Sequence, residues 1–295
     1  MNKNRIKKDN RIFGWISAGV LTLYTVSLLV PLLWAILNSL KGRLDFRDDP
    51  FGWPEKFLWS NYVDVFRLMS LTVEDGLATR TVGVAEMFLY TIIYAAGSTL
   101  VSMVVHCTAA YISAKYSRYR IARLMYTIVI VAMILPIVGS LASELQMARA
   151  LKLYDNFLGI FVMKGHFLGM NFLLYYASFK SISWEYAEAA QMDGASALRI
   201  YLVIMIPLAR TTITALMLLD FITYWNDYTS PMIYLPSYPT IAYGLYRFQF
   251  STDNAASSVT MQLAACTIVV VPIFIIYMIF RKQLMGNIAI GGIKG

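Results

Sequence analysis

Four ionisable side chains interrupt otherwise apolar stretches of this chain: His106, Lys164, His166 and Asp220. Charge held away from water is costly, so such groups mark solute or ion pathways, proton relays or polar contacts between helices. Asp220 lies ten residues beyond Arg210, about 15 Å along a helix, and His106 reaches a similar depth before Lys115. Both are candidates for the lining of a translocation pathway, against the alternative of a purely structural contact between helices. Asn226 and Asp227, at the end of the same apolar run as Asp220, join that candidate set. Lys164 stands about 24 Å from Lys180 along the chain, where its ammonium is expected to snorkel to the outer surface. Hydrolytic, nucleotide and redox chemistry find no matching residues: Gly-x-x-x-x-Gly-Lys-Ser/Thr, His-Glu-x-x-His, Gly-x-Ser-x-Gly and Cys-x-x-Cys are all missing. Cys107 and Cys266 sit singly in apolar runs, so neither a disulfide framework nor a metal site is implied.

A different chemistry is written in residues 183–207. Ser183 can cap a short helix with Glu185 in its first turn, where a carboxylate suits the positive end of the helix dipole, and Ala187, Ala189 and Ala190 favour helix. Asp193-Gly194 ends that helix, because glycine accepts the left-handed C-cap conformation, and Ser196 can cap a second helix running toward Pro207. Small residues let another backbone approach closely, and Glu185 and Glu188 offer anchors for arginine. This helix-turn-helix reads either as a docking surface for a partner protein or as a solvated connection between two spans.

The elements that position these residues follow from composition. Of 295 residues, 58% are hydrophobic and 14% charged, with a mean hydropathy of +0.59, which excludes a soluble globular domain. The net charge of +8 falls mainly on alternate loops, a pattern of membrane topology rather than nucleic-acid binding. Five basic residues in positions 1–11 precede an uncharged run from Ile12 to Leu37, too long for a cleaved signal peptide. Further spans are predicted over Met87–Ala114, Leu124–Ser143, Phe157–Phe179, Leu208–Tyr224 and Ser257–Phe280. Lys115, Arg118, Arg120 and Arg123 mark a cytoplasmic loop, which puts residues 38–86 outside and 183–207 inside. The expectation is an all-α integral membrane protein: a cytoplasmic tail over 1–11, six spans over 12–280 and a second cytoplasmic tail over 281–295.

Glu188-Ala189-Ala190, Gly194 after three residues, and Ile204-x-Ile206-Pro207 after nine more resemble the EAA signature of permease subunits of bacterial ATP-binding-cassette importers. Ile206 stands where that family usually carries leucine. Asn61-Tyr62, Ala109-Ala110-Tyr111, Trp225-Asn226-Asp227 and the closing Gly291-Gly292-Ile293-Lys294-Gly295 are similar to the maltose-importer-type sugar permeases. The resemblance implies a type I importer fold in the bacterial cytoplasmic membrane. It also implies a second homologous permease, two cytoplasmic ATPases holding ATP and magnesium, and an extracellular solute-binding protein. By resemblance, Glu188 and Gly194 dock into the ATPase cleft as part of a coupling segment with Glu185, Ala189, Ala190, Asp193 and Pro207. The segment around Tyr243-Gly244-Leu245 reaches toward the binding protein, and the closing tail contacts the ATPases. Lys164-Gly165-His166 and Asp220 depart from the family's uncharged pattern. The expected role is a non-catalytic translocation subunit carrying a sugar. A peptide, amino acid or polyamine cargo, or a self-sufficient ion-coupled carrier working through Asp220 and His106, are the alternatives.

Overall fold

The computed structural model describes residues 3–75, 78–135, 139–251 and 258–288. The chain forms two compact units: residues 1–69 with 248–270, and residues 70–247 with 271–295. The first contains α1 (Lys3–Ser39), α2 (Arg43–Asp48), α3 (Ser60–Leu68) and the start of the last helix. Asn61 clamps the end of α1, its Nδ2 donating to the carbonyls of Ser39 (2.8 Å) and Lys41 (3.0 Å), while the Tyr62 hydroxyl bonds Ser39 Oγ at 2.7 Å. Lys41 is fully buried and donates to the Asp49 carbonyl. The Asp49 carboxylate accepts the N–H groups of Gly52 and Phe51, which hold it below the usual carboxylate range.

In the second unit, β1 (Ser70–Asp75) pairs antiparallel with β2 (Ala78–Gly83), Ser70 opposite Gly83 and Asp75 opposite Ala78. The helices are α4 (Val84–Lys115), α5 (Arg120–Ile134), α6 (Leu141–Ala150), α7 (Phe157–Lys164), α8 (Met170–Ser181) and α9 (Glu185–Met192). Then follow α10 (Ala197–Arg199), a π-helical turn (Ile200–Met205), α11 (Ile206–Leu208), α12 (Arg210–Asn226), α13 (Thr229–Tyr234), α14 (Ile241–Gln249) and α15 (Val259–Ile288). The central helix is α4, against which α5, α7, α8 and α12 pack. It opens with Glu86 in its first turn and closes with Lys115 in its last, each charge complementing the helix dipole.

Among the described residues, three helical stretches are long and apolar enough to cross a membrane: Phe13–Ser39, Val84–Lys115 and Val259–Arg281. A fourth is the pair Ala197–Leu208 and Arg210–Asn226, bent by 78°. The stretches expected as the third and fourth spans are divided. Helix α5 ends at Ile134, and residues 157–179 split into α7 and α8 around Gly169, whose φ of +126° only glycine adopts without strain. Proline explains the π turn: Pro207 has no N–H to close the turn, and the Ile206 N–H bonds Tyr201 O five residues back. The hairpin, within the segment expected on the outer face, is a β exception to the all-α fold class. Its signal was present, since Thr72, Val73, Thr79, Thr81 and Val82 flank an Asp75-Gly76 pair. The closing residues 291–295 lie outside the described residues.

Candidate functional site

Helix α9 ends in a Schellman turn. Gly194 N–H donates to Gln191 O (3.0 Å), Ala195 N–H donates to Ala190 O (2.9 Å), and Gly194 takes φ +78°. Ser196 then caps α10, its Oγ accepting from Arg199 N at 3.3 Å. Ser183 acts one position ahead of the α9 cap, accepting from Glu185 N at 3.3 Å. The segment has two faces. Ala187, Ala190, Ile200 and Met205 are buried in the same core as Ala109, Ala110 and Tyr111 of α4, Phe172, Tyr175 and Phe179 of α8, and Ile213 and Leu216 of α12. Glu185, Glu188, Ala189, Asp193 and Gly194 face outward, together with Tyr186, Leu198 and Met192, the last 88% exposed. Neither glutamate has an ion-pair partner among the described residues. Pro207 sits in α11, two residues before the bend at Ala209.

Asp220 and His106 are both buried and meet in one polar network. Asn171 Nδ2 of α8 donates to Asp220 Oδ1 at 2.6 Å, and Ser102 Oγ of α4 donates to Asp220 Oδ2 at 3.3 Å. His106 Nδ1 lies 2.8 Å from the Ser102 carbonyl, which can only accept, so the ring carries its proton there. The His166 ring stands edge-on to it, 6.0 Å between centroids. Three of the four ionisable residues singled out in the sequence therefore share one locus. Their polar partners escaped the sequence reading, because Asn171 and Ser102 are 49 and 118 residues away from Asp220. Only the i, i+4 relation of Ser102 to His106 was visible in the sequence.

Two turns further along α12 a second network forms around Asp227, which accepts from the Tyr94 hydroxyl (2.7 Å) and Ser230 N–H (2.9 Å). Lys164 points Nζ at Ser230 Oγ (2.9 Å) and Asp227 Oδ2 (3.4 Å), beneath the Tyr224 ring. Burial pushes the Asp227 carboxyl up, but the Ser230 and Tyr94 bonds and the Lys164 charge outweigh it and hold it below the usual range. Asn226 is exposed and donates to Ile222 O.

Gly244 is buried, and a Cβ there would come within 2.4 Å of Met87 Sδ, so its smallness serves the packing of α14 on α4. Its neighbours Tyr243 and Leu245 are half-buried. The segment is fixed to α4 by Ile241 N–H donating to Thr91 Oγ1 at 2.7 Å. Among the described residues, no group of three or more His, Cys, Asp or Glu side chains is placed to hold a metal ion.

A family model described as "Binding-protein-dependent transport system inner membrane component" matches residues 106–287. Among curated relatives, the diacetylchitobiose uptake system permease protein NgcG of Streptomyces coelicolor is 22% identical over 96% of this chain and 90% of its own. The multiple sugar-binding transport system permease protein MsmG of Streptococcus mutans is 25% identical over 98% and 100%. The probable starch degradation products transport system permease protein AmyC of Thermoanaerobacterium thermosulfurigenes is 24% identical over 91% and 95%. Among solved structures, a chain of a bacterial ABC transporter involved in import of the acidic polysaccharide alginate superposes with a TM-score of 0.75 at 24% identity, covering 93% of this chain and 97% of that one. The fold is thus that of an ABC transporter permease.

Proposed function

The chain belongs to the family of binding-protein-dependent transport system inner membrane components, and from that membership we propose that it is the permease subunit of an ATP-binding-cassette importer for a sugar or oligosaccharide. The cargo class is supported by the named substrates of its relatives: diacetylchitobiose, multiple sugars and starch degradation products. The observation that carries the reading is the two-faced segment of residues 183–207. Its inner face is part of the core shared by α4, α8 and α12, and its outer face offers Glu185 and Glu188, without ion-pair partners among the described residues, beside Met192.

A force applied to such an element reaches the whole bundle. A close-packed core moves as a body rather than deforming, so a partner ATPase that closes on ATP and pulls α9 rocks the second unit between two arrangements. In this reading Glu188 approaches a basic group of the ATPase, Gly194 forms the turn that enters its cleft, and ATP and magnesium are held by the ATPase. The subunit itself catalyses nothing. It crosses the bacterial cytoplasmic membrane six times with both ends inside, consistent with the basic loop Lys115–Arg123. It pairs with a second homologous permease, and the Tyr243–Leu245 segment faces the solute-binding protein. The Asp220–His106 and Asp227–Lys164 networks lie along the pathway.

Reconstitution of the complete complex in liposomes tests the proposal. Sugar uptake requiring both ATP and the binding protein is expected. Uptake by this chain alone, driven by a pH gradient through Asp220 and His106, would contradict it.

A further inference from the structure

The second unit holds a cavity of about 500 Å³ whose lining includes none of His106, Lys164, Asp220 or Asp227. It lies where the β1–β2 hairpin, the turn before α7 and the α13–α14 connection meet. Its walls carry Glu74, Tyr154, Asp155, Tyr243 and Arg247. Hydrogen bonds around Ser237 tie the cavity's walls together. The Ser237 N–H and hydroxyl donate to the two oxygens of Asp155 (3.0 and 2.7 Å) and the same hydroxyl reaches Glu74 O at 3.2 Å. Arg80 of β2 donates to Ser237 O at 3.1 Å, tying the hairpin down. Asp155 is held at φ +56° with its N–H on Tyr234 O. The Tyr154 ring is fixed under the Arg149 guanidinium at 4.8 Å.

Resting on the importer reading, we propose that this cavity is an outer-face subsite for an uncharged saccharide. The volume lies within the roughly 300–1,000 Å³ typical of small-molecule sites. The lining suits a sugar: carboxylates and a guanidinium pair with adjacent hydroxyls, and tyrosine rings take the apolar C–H face. Asp155 retains acceptor capacity after its Ser237 bonds. Tyr243 has no ring or cation partner among the described residues, and Arg247 has no ion pair among them. Charge sets the specificity. Two carboxylates against one guanidinium leave the lining net negative, so a uronate meets repulsion where a neutral sugar meets none.

The test uses the full complex in nanodiscs without the binding protein. Saturation-transfer NMR with maltotriose and diacetylchitobiose reads binding, and an alginate trisaccharide serves as the anionic probe. At least one neutral sugar is expected to bind, at least fivefold more weakly in Tyr243→Ala and in Arg247→Gln, with the alginate trisaccharide silent. Absence of binding by both neutral sugars, equal binding in both variants, or equal binding of the alginate trisaccharide would overturn the proposal. ATP-dependent uptake by the same wild-type and variant complexes, reconstituted in liposomes with the binding protein, keeps the two readings apart. Intact uptake with unchanged binding in the variants sinks the subsite alone, whereas pocket-dependent binding without ATP-driven uptake sinks the importer reading alone.

Discussion

The acidic residues of α9 and those of α12 meet opposite surroundings. Glu185 and Glu188 stand in solvent with no ion-pair partner among the described residues, on a helix whose other side is sealed into the core. Asp220 and Asp227 are enclosed, and each accepts hydrogen bonds from two or more side-chain or backbone donors on neighbouring elements. A carboxylate that is already satisfied stabilises its own chain, while one left open beside exposed Met192 and Leu198 keeps its acceptor capacity for solvent or a partner. The same residue type is thus left open on α9 and enclosed on α12.

The comparison breaks most visibly at Gly194. A β-branched side chain at φ +78° disfavours the Schellman turn by about 1–2 kcal/mol, so Gly194→Val is expected to lower ATP-driven uptake more than tenfold while the permease still folds. Nothing lies within 4 Å of the Cβ position, so strain rather than a clash is the cause. Parallel uptake and thermal-stability measurements check this.

On the enclosed side, Asp220→Ala removes the acceptor for Asn171 and Ser102, and unpaired buried polar groups cost about 1–3 kcal/mol. The expected outcome is reduced folding yield together with reduced uptake, and normal values of both would remove Asp220 from the account. Lys164→Met leaves Asp227 without its cation. The double variant Lys164→Met/Asp227→Asn is expected to recover part of the loss, with a coupling of about 0.5–2 kcal/mol in a double-mutant cycle.

The smallest effect is in pH. The Asp227 carboxyl is depressed in the folded chain, so its contribution is complete above the ordinary carboxylate pKa, near 4, and is lost as pH falls through the folded value. Thermal stability of the wild type is therefore expected to owe nothing to Asp227 titration between about pH 5 and 8. The wild type and Asp227→Asn should give parallel pH profiles there.

Much of the surface side was legible in the sequence because it is local. Glu188-Ala189-Ala190 and Asp193-Gly194 encode a short helix and its stop within ten residues, and the geometry of that turn depends on nothing distant. The enclosed side was only half legible. Asp220, His106 and Lys164 announced themselves by their cost in an apolar run, but their partners come from other helices, and no spacing rule joins residue 171 to residue 220. Breaks in the helices were similarly hidden. Gly169 and Pro207 are visible as breakers, yet the size of the bend that follows Pro207 and the π turn, 78° at Ala209, is not written in their spacing. Asn61-Tyr62 and Trp225-Asn226-Asp227, useful in the sequence as signs of kinship, include structural clamps: Asn61 holds the end of α1, Trp225 is buried and Asp227 anchors Lys164.

The most direct test is affinity purification of this subunit from its native membrane with mass spectrometry of what stays bound, comparing wild type with Glu188→Lys/Met192→Asp. A second permease and a cassette ATPase are predicted with the wild type, and the double variant is predicted to keep the permease and lose the ATPase at least tenfold. Recovery of the chain alone, or equal ATPase with both proteins, would contradict the assignment of α9 as the surface through which ATP drives transport.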